Sequence, residues 1–121
     1  MNDATNRDQL SDRVRGLLGA VLQQADFPGS EALAEQASSV SVAGGPITML
    51  ELRSSHTTPA SAFEEGPIPL SMMVSNPAGD LIGELLVWVE RGYLSGLEFA
   101  WWTEDAPSEL PDSDRVMVRR K

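Results

Sequence analysis

The chain has 121 residues, enough for one hydrophobic core, and its 18 acidic and 9 basic residues give a formal net charge of −9. A surface this acidic repels phosphate backbones, which argues against DNA or RNA as a partner and favours a basic protein surface. There is no cysteine, so disulfides, thiolate nucleophiles and thiolate metal sites are excluded.

The beginning of the chain lacks the basic start and apolar run of a signal peptide. No segment contains the ~18 consecutive apolar residues that cross a bilayer. We therefore expect a cytoplasmic protein without a membrane partner. Lysine is nearly absent while arginine, alanine and glycine are common, a bias typical of bacteria with GC-rich genomes.

A first helix is predicted over residues 7–25, where apolar residues recur at three- and four-residue steps. Asn6 and Gln9 have the spacing of a capping pair. Gly16 and Gly19 would each cost about 1 kcal/mol inside this helix. Either a close approach of two backbones offsets that cost, or the helix tolerates two surface glycines.

The rest of the chain predicts a second helix over 31–38, capped by Ser30, followed by a sheet. Four segments have strand character: 47–53, 70–75, 80–89 and 93–103. A fifth, 115–118, could add a short edge strand. The fold class is therefore predicted as α+β, with two N-terminal helices packed on a four-stranded, mainly antiparallel sheet. Residues 1–121 would form a single domain, with a helical part (1–39) and a sheet part (40–118) that includes a long loop (54–69).

The last two predicted strands must form a hairpin, but its register is open. A two-residue loop would pair Glu90 with Tyr93, whereas a three-residue loop with a left-handed Gly92 would pair Val89 with Tyr93. We favour the three-residue loop because a one-residue slip would turn the apolar set of one strand outward. The three-residue loop places these apolar residues of both strands on one face: Leu81, Leu85, Val87, Val89, Tyr93, Leu97, Phe99 and Trp101.

The opposite face of this hairpin resembles neither a core nor an ordinary polar surface. It would carry the remaining side chains of both strands: Ile82, Glu84, Leu86, Trp88, Leu94, Glu98, Ala100 and Trp102. A sheet that packs on helices through one face is usually polar on the other. Something should therefore cover these residues: the 54–69 loop, the 107–111 segment, a second copy of the chain, or a partner.

Glu84 and Glu98 come closest to a catalytic arrangement, because the favoured register places them directly opposite with Cβ atoms about 5 Å apart. Carboxyl groups that close can divide acid and base roles, and retaining glycosidases hold theirs about 5 to 5.5 Å apart. Trp88 and Trp102 could stack on a sugar. Against this, so short a chain cannot enclose a deep cleft. The glutamates could instead lie at a wet sheet edge or be neutralised by an arginine, either Arg53 or Arg91.

Other catalytic or metal-binding signals are weak. His56 is the only histidine and lies in a segment of loop composition, and no serine has the pattern of a nucleophile elbow. The acidic pairs Glu64-Glu65 and Glu104-Asp105 lack the series of about six oxygen ligands that a calcium loop supplies. We therefore expect a solvated histidine, no catalytic residue, no metal and no cofactor.

Residues 83–116, GELLVWVERGYLSGLEFAWWTEDAPSELPDSDRV, resemble the C-terminal part of small uncharacterised actinobacterial proteins. These share an LVWV…LSGLE..WWTDE.P..LP motif. The preceding GPITMLELR and its proline-containing loop are similar too, so the resemblance extends over residues 45–116. The family has no assigned activity. The resemblance therefore implies that the hairpin is a fixed unit and assigns no site residue.

Charge and the surplus apolar face favour a small acidic, non-catalytic protein-binding module, of the kind that immunity proteins and antitoxins provide for a basic partner. The candidate binding residues are Glu84, Trp88, Glu98 and Trp102. Two alternatives stay open. One is a small-molecule binding protein or a hydrolase built on the Glu84/Glu98 pair, and the other is a homodimer formed through the same face.

Overall fold

The computed structural model describes residues 3–55 and 57–121, and it is an α+β fold of two helices and a seven-stranded antiparallel sheet. The helices are α1 (Asp3–Leu22) and α2 (Ser30–Ala37). The strands are β1 (Ser41–Gly44), β2 (Met49–Arg53), β3 (Gly66–Pro67), β4 (Leu70–Ser75), β5 (Leu81–Glu90), β6 (Tyr93–Trp101) and β7 (Val116–Arg120). Their order in the sheet is β1-β2-β6-β5-β4-β7, and β3 pairs with the turn end of β5.

The α+β class is confirmed, but the prediction of a four-stranded sheet is wrong. The four predicted strands exist as β2, β4, β5 and β6, and the optional edge strand exists as β7. β1 and β3 were missed because each is very short and contains glycine or proline, so neither shows the alternation that identifies a strand. The predicted 54–69 loop therefore includes a strand, and it also includes the fully buried Ile68.

The helices differ from their predicted ends and caps. α1 begins at Asp3, so Asn6 lies inside it and does not cap it with Gln9. An added Cβ at Gly16 or Gly19 would meet nothing within 4 Å, so these are tolerated surface glycines. α2 begins at Ser30 itself. Its N-cap is Gly29, which has a φ of 95° and makes no side-chain cap, so the prediction of a Ser30 cap is wrong.

The core lies between the helices and one face of the sheet. α1 contributes a continuous apolar stripe, and α2 contributes Leu33 and Ala37. Alternate residues of the central strands meet them: Leu50, Leu52, Leu70, Met72, Val74, Leu85, Val87, Val89, Leu97 and Phe99. α1 also covers the edge strand β1, where the hydroxyl of Ser11 accepts a hydrogen bond from the Val42 amide (2.9 Å).

The 54–69 segment wraps the turn end of the β5–β6 hairpin. The Ser61 amide donates to Gly92 O (2.8 Å), and the Gly92 amide donates to Glu64 O (2.9 Å). The Ser61 hydroxyl also donates to Gly29 O (2.7 Å), which fastens the segment to the start of α2.

The 107–112 segment packs beside α1. Leu110 is buried, and the Arg13 guanidinium donates to Leu110 O (3.1 Å) and to the Asp112 carboxylate (3.3 Å). These contacts hold this segment at the helix side of the sheet and the 54–69 segment at its turn end. Of the four possible covers for the second sheet face, the 107–111 segment is therefore engaged elsewhere, and the 54–69 segment reaches that face only at the turn end, through β3 and Glu65.

Candidate binding face on the open side of the sheet

The β5–β6 hairpin closes with a two-residue turn, in which Glu90 pairs with Tyr93 and both Arg91 (φ 53°) and Gly92 (φ 83°) are left-handed. The prediction of a three-residue turn is wrong. Immediately after the turn, β6 contains a bulge: Val89 pairs with Leu94, but Trp88 pairs with Gly96. Ser95 is the extra residue.

With a two-residue turn alone, the apolar residues of β5 and those of β6 would lie on opposite faces of the sheet. The extra residue of the bulge brings them to the same face. Beyond the bulge Val87 pairs with Leu97 and Leu85 with Phe99, so the middle of the predicted apolar face forms, although in a different register. Five positions are corrected. Leu81 and Trp101, which were predicted on the apolar face, are 52% and 41% exposed at the far end of the hairpin. Leu94 is buried in the core, and Tyr93 is half-buried with its hydroxyl donating to Thr58 O (3.2 Å). Ile82, the extra residue of a second bulge opposite β4, packs against the core.

The amide of Gln36 holds the bulge in place. This side chain is completely buried, and its Nε2 donates to Gly92 O (2.8 Å) and Pro59 O (3.0 Å). Its Oε1 accepts from the Leu94 amide (2.9 Å). A buried backbone N–H must have a hydrogen-bond partner, and α2 supplies the partner of the Leu94 N–H. Sequence reasoning missed this residue, since its partners are 56 and 58 positions away.

The side of the sheet away from the helices is half-buried to exposed, and we call it the open face. Strand register arranges its side chains in three neighbouring rows. The rows are Met117–Met73–Glu84–Ala100, then Leu86–Glu98–Met49, then Pro67–Trp88–Gly96–Glu51. Aliphatic, methionine and aromatic side chains therefore alternate with carboxylates over the whole centre of the sheet.

Glu84 and Glu98 are not directly opposite each other. Glu84 pairs with Ala100 and Glu98 with Leu86, so the two glutamates are diagonal neighbours, a relation that separates residues by about 7–8 Å. The Trp88 indole Nε1 donates to Glu98 Oε1 (3.0 Å), so one carboxylate oxygen is already engaged. The directly facing carboxylate pair expected from the sequence is therefore wrong.

Among the residues that the structure describes, the carboxylates of the open face have no counterion. The ion pairs among the described residues are Arg13–Asp112, Arg15–Asp12 and Arg120–Asp26. None of them includes an open-face glutamate, so neutralisation by Arg53 or Arg91 does not occur in the described part of the chain. Within residues 3–55 and 57–121, no ion pair therefore compensates the negative charge of this face.

The two tryptophans of the predicted site lie far apart. Trp102 follows the end of β6, and its amide donates to Ile82 O (2.8 Å). Ile82 is six residues from Trp88 along β5, which corresponds to about 20 Å of extended chain. Trp102 is 56% exposed, while Trp88 is half-buried. The structure thus brings Glu84, Trp88 and Glu98 together, and Trp102 forms a separate exposed site at the far end of the hairpin.

A groove of about 410 Å³ lies beside Trp88 on the open face. Its lining residues come from four strands and their flanks: Met49, Leu50, Glu51, Glu65, Gly66, Trp88, Val89, Glu90, Ser95 and Gly96. Glu84, Glu98 and Trp102 do not line it. Met49 and Glu51 were not predicted as site residues, although the alternation of MLELR in β2 already placed them on one face. The sequence did not indicate that β2 pairs with β6.

Three remaining observations bear on function. In the part of the chain that the structure describes, no three acidic or histidine side chains form a group that could hold a metal ion, and His56 lies outside that part. Neither described helix is long and apolar enough to cross a membrane. Comparison of the chain with protein-family models, curated proteins and solved structures gives no match.

Proposed function

We propose that this protein is a non-catalytic binding module whose open face takes a basic protein partner. The observation that carries the proposal is a half-buried apolar sheet face whose carboxylates have no counterion among the described residues. A partner that covered Leu86 and Trp88 would remove apolar surface from water, and its basic side chains would pair with Glu51, Glu84 and Glu98. This chemistry fits a small acidic inhibitor of the immunity or antitoxin type.

A second copy of the chain fits this face less well than a basic partner does. In a two-fold symmetric dimer the same patch meets itself, so Glu84 and Glu98 of both copies would enter one interface. Like charges brought together in an interface cost several kcal/mol. The net charge of −9 opposes self-association in the same sense.

A hydrolase has less support from the geometry. The two glutamates are diagonal neighbours rather than directly opposite, and Glu98 is hydrogen-bonded to an indole. The two tryptophans are too far apart to stack on one sugar ring. The nearby groove is shallow and open to the sheet surface. An acidic, apolar and flat surface of this kind favours recognition over catalysis.

Charge reversal on the open face tests the proposal. The face variant Glu51→Lys/Glu84→Lys and the helix variant Asp8→Lys/Glu35→Lys carry the same charge change: each substitution adds 2, so two raise the net charge from −9 to −5. Asp8 and Glu35 are exposed on α1 and α2 and make no ion pair among the described residues. The two variants therefore differ in where the charge changes and not in how much.

Each tagged protein is used to capture proteins from a lysate of the source organism, and the captured protein is purified and titrated calorimetrically. We expect the wild type and the helix variant to bind the same basic protein, and the face variant to lose it. Equal binding by both variants would contradict the proposal, and so would capture of acidic proteins only.

A further inference from the structure

The groove beside Trp88 combines an aromatic wall with an acidic rim. Glu51, Glu65 and Glu90 line it, and among the described residues no lysine or arginine does. The Glu65 carboxylate accepts a hydrogen bond from the Arg91 amide (3.1 Å), which leaves its negative charge without a cationic partner. Arg53 and Arg91 line a wider cleft on the turn side of the groove, and Glu51, Glu65 and Glu90 line that cleft as well. No ion pair among the described residues joins these glutamates to either arginine, so the rim of the groove keeps a negative charge that favours a cation.

The bulge in β6 and two small neighbours create the room for this groove. Trp88 pairs on one side with Gly96, which has no side chain, and on the other with Pro67 of the two-residue strand β3. A Cβ built on Gly96 would lie 3.5 Å from the Cβ of Trp88, so any side chain longer than a methyl would fill the space beside the indole. The hydrogen bond from Nε1 to Glu98 fixes the ring by its edge.

We propose that this groove receives an arginine side chain of the basic partner, an inference that rests on the function proposed above. A guanidinium is planar and weakly hydrated, so it stacks on an indole face and donates in parallel to carboxylates at its edge. The indole of Trp88 supplies the face, and the carboxylates of Glu51 and Glu90 supply the acceptors. Lysine presents a compact, strongly hydrated charge, which pairs with the carboxylates but gains less from the ring.

The dependence on Trp88 of the preference for arginine over lysine tests the proposal, because general attraction to an acidic surface does not require this ring. Capped hexa-arginine and hexa-lysine peptides have the same charge and are titrated into the protein by calorimetry at fixed salt. We expect the wild type to bind the arginine peptide about three- to fivefold more tightly. Trp88→Leu should lose most of this preference, and Trp88→Phe, which keeps a ring, should retain more of it.

Trp102→Leu is the matched control, since it removes an exposed indole outside the groove and should leave the preference unchanged. An undiminished preference in Trp88→Leu would overturn the arginine site, as would failure of the wild type to bind either peptide. The face variant Glu51→Lys/Glu84→Lys separates the two proposals. If it weakens both peptides while Trp88→Leu keeps the preference, only the arginine site fails. If it binds both like the wild type, the basic-partner function fails as well.

Discussion

Replacement of Gln36 by leucine tests how the hairpin register is set. The side chain is fully buried, and leucine has nearly the same volume, so Gln36→Leu removes hydrogen bonds without opening a cavity. The Leu94 N–H loses its partner in the core. Gly92 O keeps its bond from the Ser61 amide (2.8 Å), and Pro59 is exposed, so water can replace the amide there.

The expected loss in the free energy of unfolding follows from these lost hydrogen bonds. One buried donor left without a partner costs about 1–3 kcal/mol, and the weakened bond network around Gly92 and Pro59 brings the total to about 3 kcal/mol. For a domain of this size that corresponds to a fall of about 10 °C in the midpoint of thermal unfolding. Urea unfolding followed by tryptophan fluorescence measures the free energy directly.

Gln23→Leu is the matched control, because Gln23 is an exposed glutamine just beyond α1. We expect its free energy of unfolding to stay within about 0.5 kcal/mol of the wild type. If Gln36→Leu were equally neutral, the amide would not hold the bulge. The register that builds the open face would then need another explanation.

Further expectations concern packing and association. Gly83→Ala should destabilise the protein by about 1–3 kcal/mol, because its Cβ would lie 2.5 Å from Ala100 O and 2.7 Å from the Phe99 ring. Gly19→Ala should stabilise it by up to about 1 kcal/mol, since nothing crowds that helix position; equal urea midpoints for these two variants would contradict the packing described here. Light scattering should report a monomer at low salt, and a stable dimer abolished by Leu86→Lys would show that the open face binds its own copy instead.

The sequence was sufficient to predict the helices and strands that a local residue pattern defines. The three- and four-residue apolar repeat identified α1, and the β-rich runs located β2, β4, β5 and β6 within a few residues. The division of β5 into a core face with Leu85 and Val87 and a second face with Glu84 and Trp88 was also readable, because side chains alternate along a strand.

The pairing of those strands was not readable, because it depends on distant groups. The clean apolar face argued for a three-residue turn, yet the chain makes a two-residue turn and recovers the middle of that face with a bulge at Ser95. That solution needs a hydrogen-bond partner for Leu94, and the partner is Gln36 of α2. As a result the predicted cross-strand partners of Glu84 and Glu98 were wrong by two positions, although both residues were predicted on the correct face of the sheet.

For the same reason, only some residues of the candidate site could be predicted from the sequence. Trp88 and Glu98 stand out within the hairpin, and their shared face follows from the strand pattern. Met49 and Glu51 join them only because β2 lies beside β6 in the sheet, an order that no local pattern in β2 indicates. The groove itself depends on Gly96 being placed opposite Trp88, which the bulge decides.

Proton–nitrogen correlation NMR during a titration with capped hexa-arginine tests the central claim most directly, because it reports each amide and the indole N–H of each tryptophan separately. If the open face is the surface for basic partners, the largest shifts belong to the Trp88 indole and to the amides of Glu51 and Glu98. The amides around Asp8 and Glu35 on the helices should then scarcely move. Larger shifts on the helices than on β2, β5 and β6 would contradict the claim.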